Sequence, residues 1–271
     1  MSRTDTRDPA DAHYLLWARY TASQARQSQF SRKEVDARVE EFFRDLCRMV
    51  EPTVGLELGA HQADFSAWLK ETFSDARSLA LEANPYVFER YRKRLADSGV
   101  EYRHLAVGAK TGTLELMIPI ELGKTTRKRT NRMASLNVHR KTKNHESVAV
   151  DAVRLDDLVS PAASDRVVVW IDVEGAADQV LEGGRDVLSQ ASAVYMEVES
   201  STTWHGQWLD TDVARYFADL GLVPVMRDIQ RPHQYNVVYV DRRLAARPEV
   251  ARRAARVLTP PRRGFRTKDA R

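Results

Sequence analysis

TVGLELGA, residues 53–60, decides how the rest of the chain is read. Val54, Leu56 and Leu58 make a short apolar run that stops at Gly59 and resumes as a helical pattern over 63–72. A buried strand, a glycine turn and a helix open an α/β fold whose strand ends face a ligand. Glycine lets the backbone turn tightly and lets a ligand approach it. Glu57 is an acid inside an otherwise apolar strand, and a buried acid needs a partner, such as a cation or an amine. A second apolar run, 78–82, ends in Glu82. An acid about 20 residues beyond a glycine turn is the usual acceptor for ribose hydroxyls.

Outward from this pair the alternation continues: strand 54–58, helix 63–72, strand 78–82, helix 85–98 with Pro85 in its first turn, strand 102–106. Such alternation predicts a parallel sheet with right-handed crossovers. The rhythm breaks over 108–153. Leu114, Leu116 and Ile118 alternate as an edge strand does, and 148–153 reads as another strand. Between them, residues 121–146 hold eight Lys/Arg against two Glu, a basic insertion that reads either as a solvated loop or as a lid over an anionic acceptor. VVVWID at 167–172 is the most apolar run and belongs at the sheet centre; helix 178–190 and strand 193–199 follow. After helix 212–220, two strands at 222–226 and 234–240 are close enough in sequence to pair antiparallel. Four strand ends thus carry acids: Glu57, Glu82, Asp172 with Glu174, and Glu197 with Glu199. In an open α/β sheet these ends line one crevice.

Before this domain, residues 1–52 carry two helical patterns, the second opened by Ser31 and Glu34 as a capping box and closed by Pro52. Their apolar faces read as packing against the main domain, with a lid or a dimer contact as alternatives. The organisation expected is an N-terminal helical extension (1–52), a catalytic-type domain (53–245) and a basic tail (246–271) with a short helix at 249–257 and disorder beyond it. The chain's net charge is +4, but residues 241–271 hold eleven Lys/Arg against three Asp/Glu, so the basic character belongs to the tail. Cys47 is the single cysteine, which excludes an internal disulfide and fits a reducing compartment. No apolar run reaches the ~18–20 residues of a membrane span, and the first residues lack the apolar core of a secretory signal; a cytoplasmic protein is expected.

The motifs LELGA (56–60), LEANP (81–85), AVG (106–108), SL (135–136), VRLDDL (153–158), WIDVEGAADQVLEGG (170–184) and MEVE (196–199), in this order and spacing, resemble the FkbM-type S-adenosylmethionine-dependent methyltransferases over about residues 53–200. The resemblance implies a Rossmann-like class I methyltransferase fold: α/β, with a mostly parallel seven-stranded sheet, an antiparallel terminal hairpin and, here, added N-terminal helices. It implies O-methyl transfer to a hydroxyl of a sugar, glycolipid, polysaccharide or secondary metabolite. Carried over by motif, Glu57, Gly59 and Ala60 hold the methionine part of the cofactor. Glu82 takes the ribose, with Ala83 and Asn84 beside the adenine. Val107 and Gly108 form a turn near the adenine, Ser135 reaches the crevice, and Asp172 and Glu174 stand by the reacting centre. Two positions depart from the family pattern: Glu57 stands where Asp is usual, and His61-Gln62-Ala63 where Asn-x-Gly is usual.

An alcohol holds its proton tightly, so methyl transfer to it needs a base or a metal nearby. The base candidates are Asp172, Glu174, His139, His145 and His205. Asp172 and Glu174, with Glu197 or Glu199, are an alternative oxygen set for Mg²⁺. Trp204 and Trp208 read either as a sugar-stacking platform or as cover for the sheet edge. Two further readings stay open: an RNA methyltransferase, suggested by the basic stretches though IDVEG lacks an Asn/Asp-Pro-Pro-aromatic motif, and a non-catalytic cofactor-binding module.

Overall fold

The computed structural model describes residues 9–259. Two sheets and ten helices follow in the order α1 (Pro9–Gln27), α2 (Arg32–Val50), β1 (Val54–Leu58), α3 (Asp64–Thr72), β2 (Arg77–Glu82), α4 (Pro85–Leu95), β3 (Glu101–His104), β4 (Ala106–Val107), β5 (Gly112–Leu122), β6 (Thr125–Thr126), β7 (Thr142–Val153), α5 (Leu155–Leu158), β8 (Val167–Ile171), α6 (Ala177–Gly183), α7 (Arg185–Ser189), β9 (Ala191–Glu199), α8 (Asp210–Asp219), β10 (Leu222–Arg227), β11 (Gln234–Asp241), α9 (Arg242–Ala245) and α10 (Pro248–Val257).

The main sheet has seven strands in the order β10-β11-β9-β8-β1-β2-β3. The β3, β2, β1, β8 and β9 pairings are parallel, and β11 runs antiparallel between β9 and β10. This is the Rossmann-like methyltransferase architecture expected from the sequence, with its order reversing between β1 and β8. Alternate residues sort onto two faces. Leu56, Leu58, Val167, Val169, Val194 and Met196 pack with α6, α7 and α8 on one side. Val168, Ala193, Tyr195, Val238 and Val240 pack with Phe42, Phe43 and Leu46 of α2 and Phe65 and Leu69 of α3 on the other. Helix α2 is therefore a cover of the sheet. Ser31 caps it as the capping box predicts, accepting the Glu34 backbone N–H while Glu34 accepts that of Ser31. Helix α1 lies on α8 and β10, where the Tyr14 hydroxyl is 3.0 Å from that of Tyr235.

Three sequence expectations change. The strand expected at 102–106 ends at His104, and Ala106–Val107 leaves for a second, four-stranded sheet in the order β4-β7-β5-β6. Stretch 121–146 is not one loop: β5 and β7 form a long antiparallel hairpin that extends to Leu122 and restarts at Thr142. The helix expected over 178–190 is two helices that meet at Gly183 and Gly184. A Cβ at Gly183 would sit 2.0 Å from the Gly108 carbonyl oxygen, so close backbone contact forces glycine there and breaks the helix. The short tail helix is present as α10, packed on α2; the disorder expected in the tail falls outside the described residues.

Candidate functional site

The crevice forms at the C-terminal ends of β1, β2, β8 and β9. Gly59 makes it possible for β1 and β8 to end side by side. Its φ is +77°, and a Cβ there would lie 1.9 Å from the Asp172 carbonyl oxygen. The turn is closed by the Gly59 and Ala60 N–H groups, which donate to the Leu81 carbonyl at 3.0 and 2.9 Å. His61 and Ala63 hold φ of +46° and +55°, so the sequence keeps left-handed turns here without glycine. For alanine that conformation costs roughly 1–2 kcal/mol.

Both acids of the opening motif are buried, 5% and 8% exposed, and already engaged. Glu57 Oε2 accepts the Ser66 N–H at 2.7 Å. That N–H belongs to the first turn of α3, whose cap residue Ala63 has no side chain to offer, so Glu57 serves as the helix's missing cap. Glu82 accepts the His61 N–H through Oε2 and the Asn84 N–H through Oε1, both at 2.7 Å, tying the glycine turn to the end of β2. Burial pushes each carboxyl up to about 7, against the backbone N–H groups that hold it down.

A cavity of ≈ 250 Å³ opens in front of these groups. Of the residues expected to hold the cofactor, Glu57, Gly59, Ala60, Glu82, Ala83, Val107, Ser135 and Asp172 line it. Asn84 and Gly108 do not. Asn84 caps α4, accepting from Tyr86 and Val87 N–H, and its amide nitrogen donates to the Arg129 carbonyl. Gly108 lies behind the wall against Gly183. Glu40 of α2, Phe65, Trp170 and Arg132 also line the cavity, and the sequence reading missed them. Of the eight Lys/Arg within 121–146, Arg132 alone lines it.

Asp172, Glu174 and Glu197 bring one oxygen each within 4.8 Å of one another, close enough to hold a cation. Gln234 occupies this group: its Nε2 donates to Glu197 at 2.7 Å and to Glu174 at 3.4 Å, while its Oε1 accepts from Arg231 at 2.7 Å. Burial and mutual repulsion raise the Glu174 and Glu197 carboxyls well above the usual carboxylate range. Glu199 stands outside this trio, 4% exposed, and burial lifts its carboxyl to about 7.

A second cavity of ≈ 230 Å³ meets the first at Glu174. Its walls include His139, Glu199, Trp204 and Arg231. Its roof is a stitch between two distant segments: His139 pairs antiparallel with Trp204, the Arg140 N–H donates to the Thr203 carbonyl, and the His205 N–H donates to the Val138 carbonyl, both at 3.0 Å. Ser135, paired with Met117, and Asn137, whose Nδ2 donates to the Gly175 carbonyl at 2.7 Å, fix the same segment over the crevice. The indole of Trp204 lies over Gly175, where φ is +73° and a Cβ would fall 2.2 Å from the ring. Trp208 lines neither cavity; it packs toward Tyr216.

The three histidines separate. His145 is exposed on β7 opposite Pro119, and His205 is exposed; neither lines a cavity. His139 is buried, and its Nδ1 accepts the Lys141 N–H at 3.0 Å. The neutral ring therefore carries its proton on Nε2 and is a donor, a tautomer suited to holding an oxygen and not to taking a proton.

The 2-O-methyltransferase NoeI of Sinorhizobium fredii is 32% identical over 79 residues, 25% of this chain and 32% of that protein, so the chain spans about a third of that relative's length. Among solved structures, precorrin-6y C5,15-methyltransferase from Geobacter metallireducens aligns with a TM-score of 0.39 at 14% identity, over 73% of this chain and 87% of that one. The 1,6-didemethyltoxoflavin-N1-methyltransferase of Burkholderia thailandensis aligns at 0.40 and 11%, over 89% and 93%. The fold assignment rests on the strand order itself. The family model of the methyltransferase FkbM domain matches residues 57–224, a span that begins at Glu57 and takes in all six acids of the crevice, and the chain belongs to that family.

Proposed function

We propose that the protein is an S-adenosylmethionine-dependent O-methyltransferase acting on a hydroxyl of a sugar, glycolipid or related metabolite, with the donor in the larger cavity and the acceptor beyond Glu174. The observation that carries this reading is the set of carboxylates around a cavity formed at the strand ends, Glu57 and Glu82 buried and Asp172 and Glu174 half-buried: it suits a ligand bearing a sulfonium and an ammonium group. The partial likeness to a 2-O-methyltransferase supports oxygen as the acceptor atom.

The residues fit the donor. Glu57 would take its amino group, Glu82 its ribose hydroxyls, and Ala83 and Val107 the flanks of its adenine. Bound there, S-adenosylmethionine supplies a methyl group already activated by its sulfonium. The chain's own work is then to orient an acceptor oxygen, exclude water and receive a proton. Asp172 and Glu174 set the potential at the junction of the two cavities, favouring positive charge there. The Gln234 amide bridges Glu174 and Glu197, and a Mg²⁺ requirement is not part of this proposal.

Calorimetric titration with S-adenosylhomocysteine, with and without Mg²⁺, on wild type and Glu82→Ala tests the reading. Micromolar binding that the variant loses, unchanged by Mg²⁺, is expected. No binding by the folded wild type overturns it.

A further inference from the structure

The second cavity contains two buried polar groups with nothing to bind. Glu199 is 4% exposed and Trp204 1% exposed, both line the cavity, and neither Glu199 Oε1 nor Trp204 Nε1 has a hydrogen-bond partner. They are neighbours, yet the two do not meet at hydrogen-bonding geometry. An unpaired buried acceptor and an unpaired buried donor each cost about 1–3 kcal/mol, so a facing pair left open is a socket for a group that can satisfy both. A hydroxyl does so, donating its proton to Glu199 and accepting from the indole N–H. Water would satisfy the pair as well; what favours a larger molecule is the space and its lining. The cavity of ≈ 230 Å³ is lined by Trp204 and Pro232 beside His139, whose Nε2–H is a further donor. Aromatic faces among hydrogen-bonding side chains suit a pyranose ring.

We propose that this cavity is the acceptor site for a sugar, and that Glu199 and Trp204 grip the hydroxyl to be methylated, with Glu199 as its general base. The inference rests on the methyltransferase reading above and deepens it. In the step assigned to Glu199, the acceptor oxygen bonds to the methyl carbon as the carbon–sulfur bond breaks, and that electron pair stays on sulfur. The hydroxyl proton passes to Glu199 Oε1. The carboxylate becomes a neutral acid as the sulfonium becomes a neutral thioether, so charge balances. Trp204 Nε1–H holds the oxygen lone pair not used in the attack.

The test uses the full chain saturated with S-adenosylhomocysteine and the methyl glycosides of glucose, galactose, mannose and glucuronic acid. The Trp204 indole N–H resonance, assigned with Trp204→Phe, is followed as each is added. It is expected to shift saturably with at least one of the four. Radiolabelled transfer from S-adenosylmethionine to the glycoside that shifts it is expected to fall at least 100-fold in Glu199→Gln, while S-adenosylhomocysteine affinity stays within threefold. Binding of S-adenosylhomocysteine with no Trp204 response to any of the four, or wild-type transfer by Glu199→Gln, overturns the acceptor-site assignment and leaves the donor site standing. Absence of S-adenosylhomocysteine binding overturns the reading beneath it.

Discussion

Donor binding should release protons, and the size of the effect follows from Glu82. In the free protein its carboxyl is pushed up to about 7 from an ordinary 4.5 by burial. Ribose hydroxyls donate to the ionised form, so a complex that restores the ordinary value stabilises the carboxylate by the whole difference. At pH 5.5 only about 3% of the free protein has Glu82 ionised, against about 90% at pH 8. Affinity for S-adenosylhomocysteine should therefore be about 30-fold weaker at pH 5.5 than at pH 8, near 2 kcal/mol, from this residue alone. Glu57, also raised to about 7, adds a similar factor if the ligand amine reaches it. The sign is fixed: the free state holds the proton and the bound state does not, so affinity rises with pH through about 7 and then levels. Titration calorimetry at pH 6.5, in two buffers of different ionisation enthalpy, should show about 0.7 proton released per acid engaged. Glu82→Gln should remove its share of both the slope and the proton release. A dissociation constant that stays within threefold across this range, with no buffer-dependent heat, would refute the claim that the ligand meets a protonated acid.

The same raised values act oppositely on the empty protein. Glu57, Glu82 and Glu199 are protonated more readily folded than unfolded, so stability is lost as pH rises from 4.5 through about 7, and the thermal midpoint without ligand should be higher at pH 5.5 than at 7.5. His61, held down to about 4 by burial, works against this by a smaller amount, and a midpoint that rises with pH would contradict the burial argument. Asp172→Ala should abolish methyl transfer while leaving circular dichroism unchanged; a folded, fully active variant removes Asp172 from the site. Gly175→Ala should destabilise the protein by about 2 kcal/mol or more in denaturant titration, because a methyl at φ +73° would overlap the Trp204 ring; a midpoint within error of wild type would mean the turn is free to move.

The main sheet was legible because each of β1, β2, β8 and β9 is buried on both faces, which leaves an unbroken apolar run ending in an acid. The β5–β7 hairpin was not, because its outer half turns Glu115, Lys143 and His145 to solvent, and the alternation that marks a strand is lost among charges. The break between α6 and α7 depends on Gly108, some 75 residues earlier in the chain, so no local pattern announces it. The donor cavity could be read from motifs because its main groups stand at strand ends. The second cavity could not: His139, Glu174, Glu199, Trp204 and Gln234 come from four separate segments and meet only after the hairpin folds back. The tautomer of His139 is set by the backbone N–H of Lys141 and leaves no mark in the sequence at all.

The place of β11 has a consequence for the order in which the molecule can be made. This strand is the last among the described residues, yet it lies inside the sheet, between β9 and β10. Until residue 241 has left the ribosome, β10 has no partner and β9 presents a bare edge. The same delay holds the other face open, since Phe42, Phe43 and Leu46, made among the first fifty residues, share their cluster with Val238 and Val240. The nascent chain thus carries an uncovered apolar helix and an unpaired strand edge through most of its synthesis, the exposure on which chaperones act. The domain closes in one late event, when the β10–β11 hairpin inserts beside β9 and covers α2.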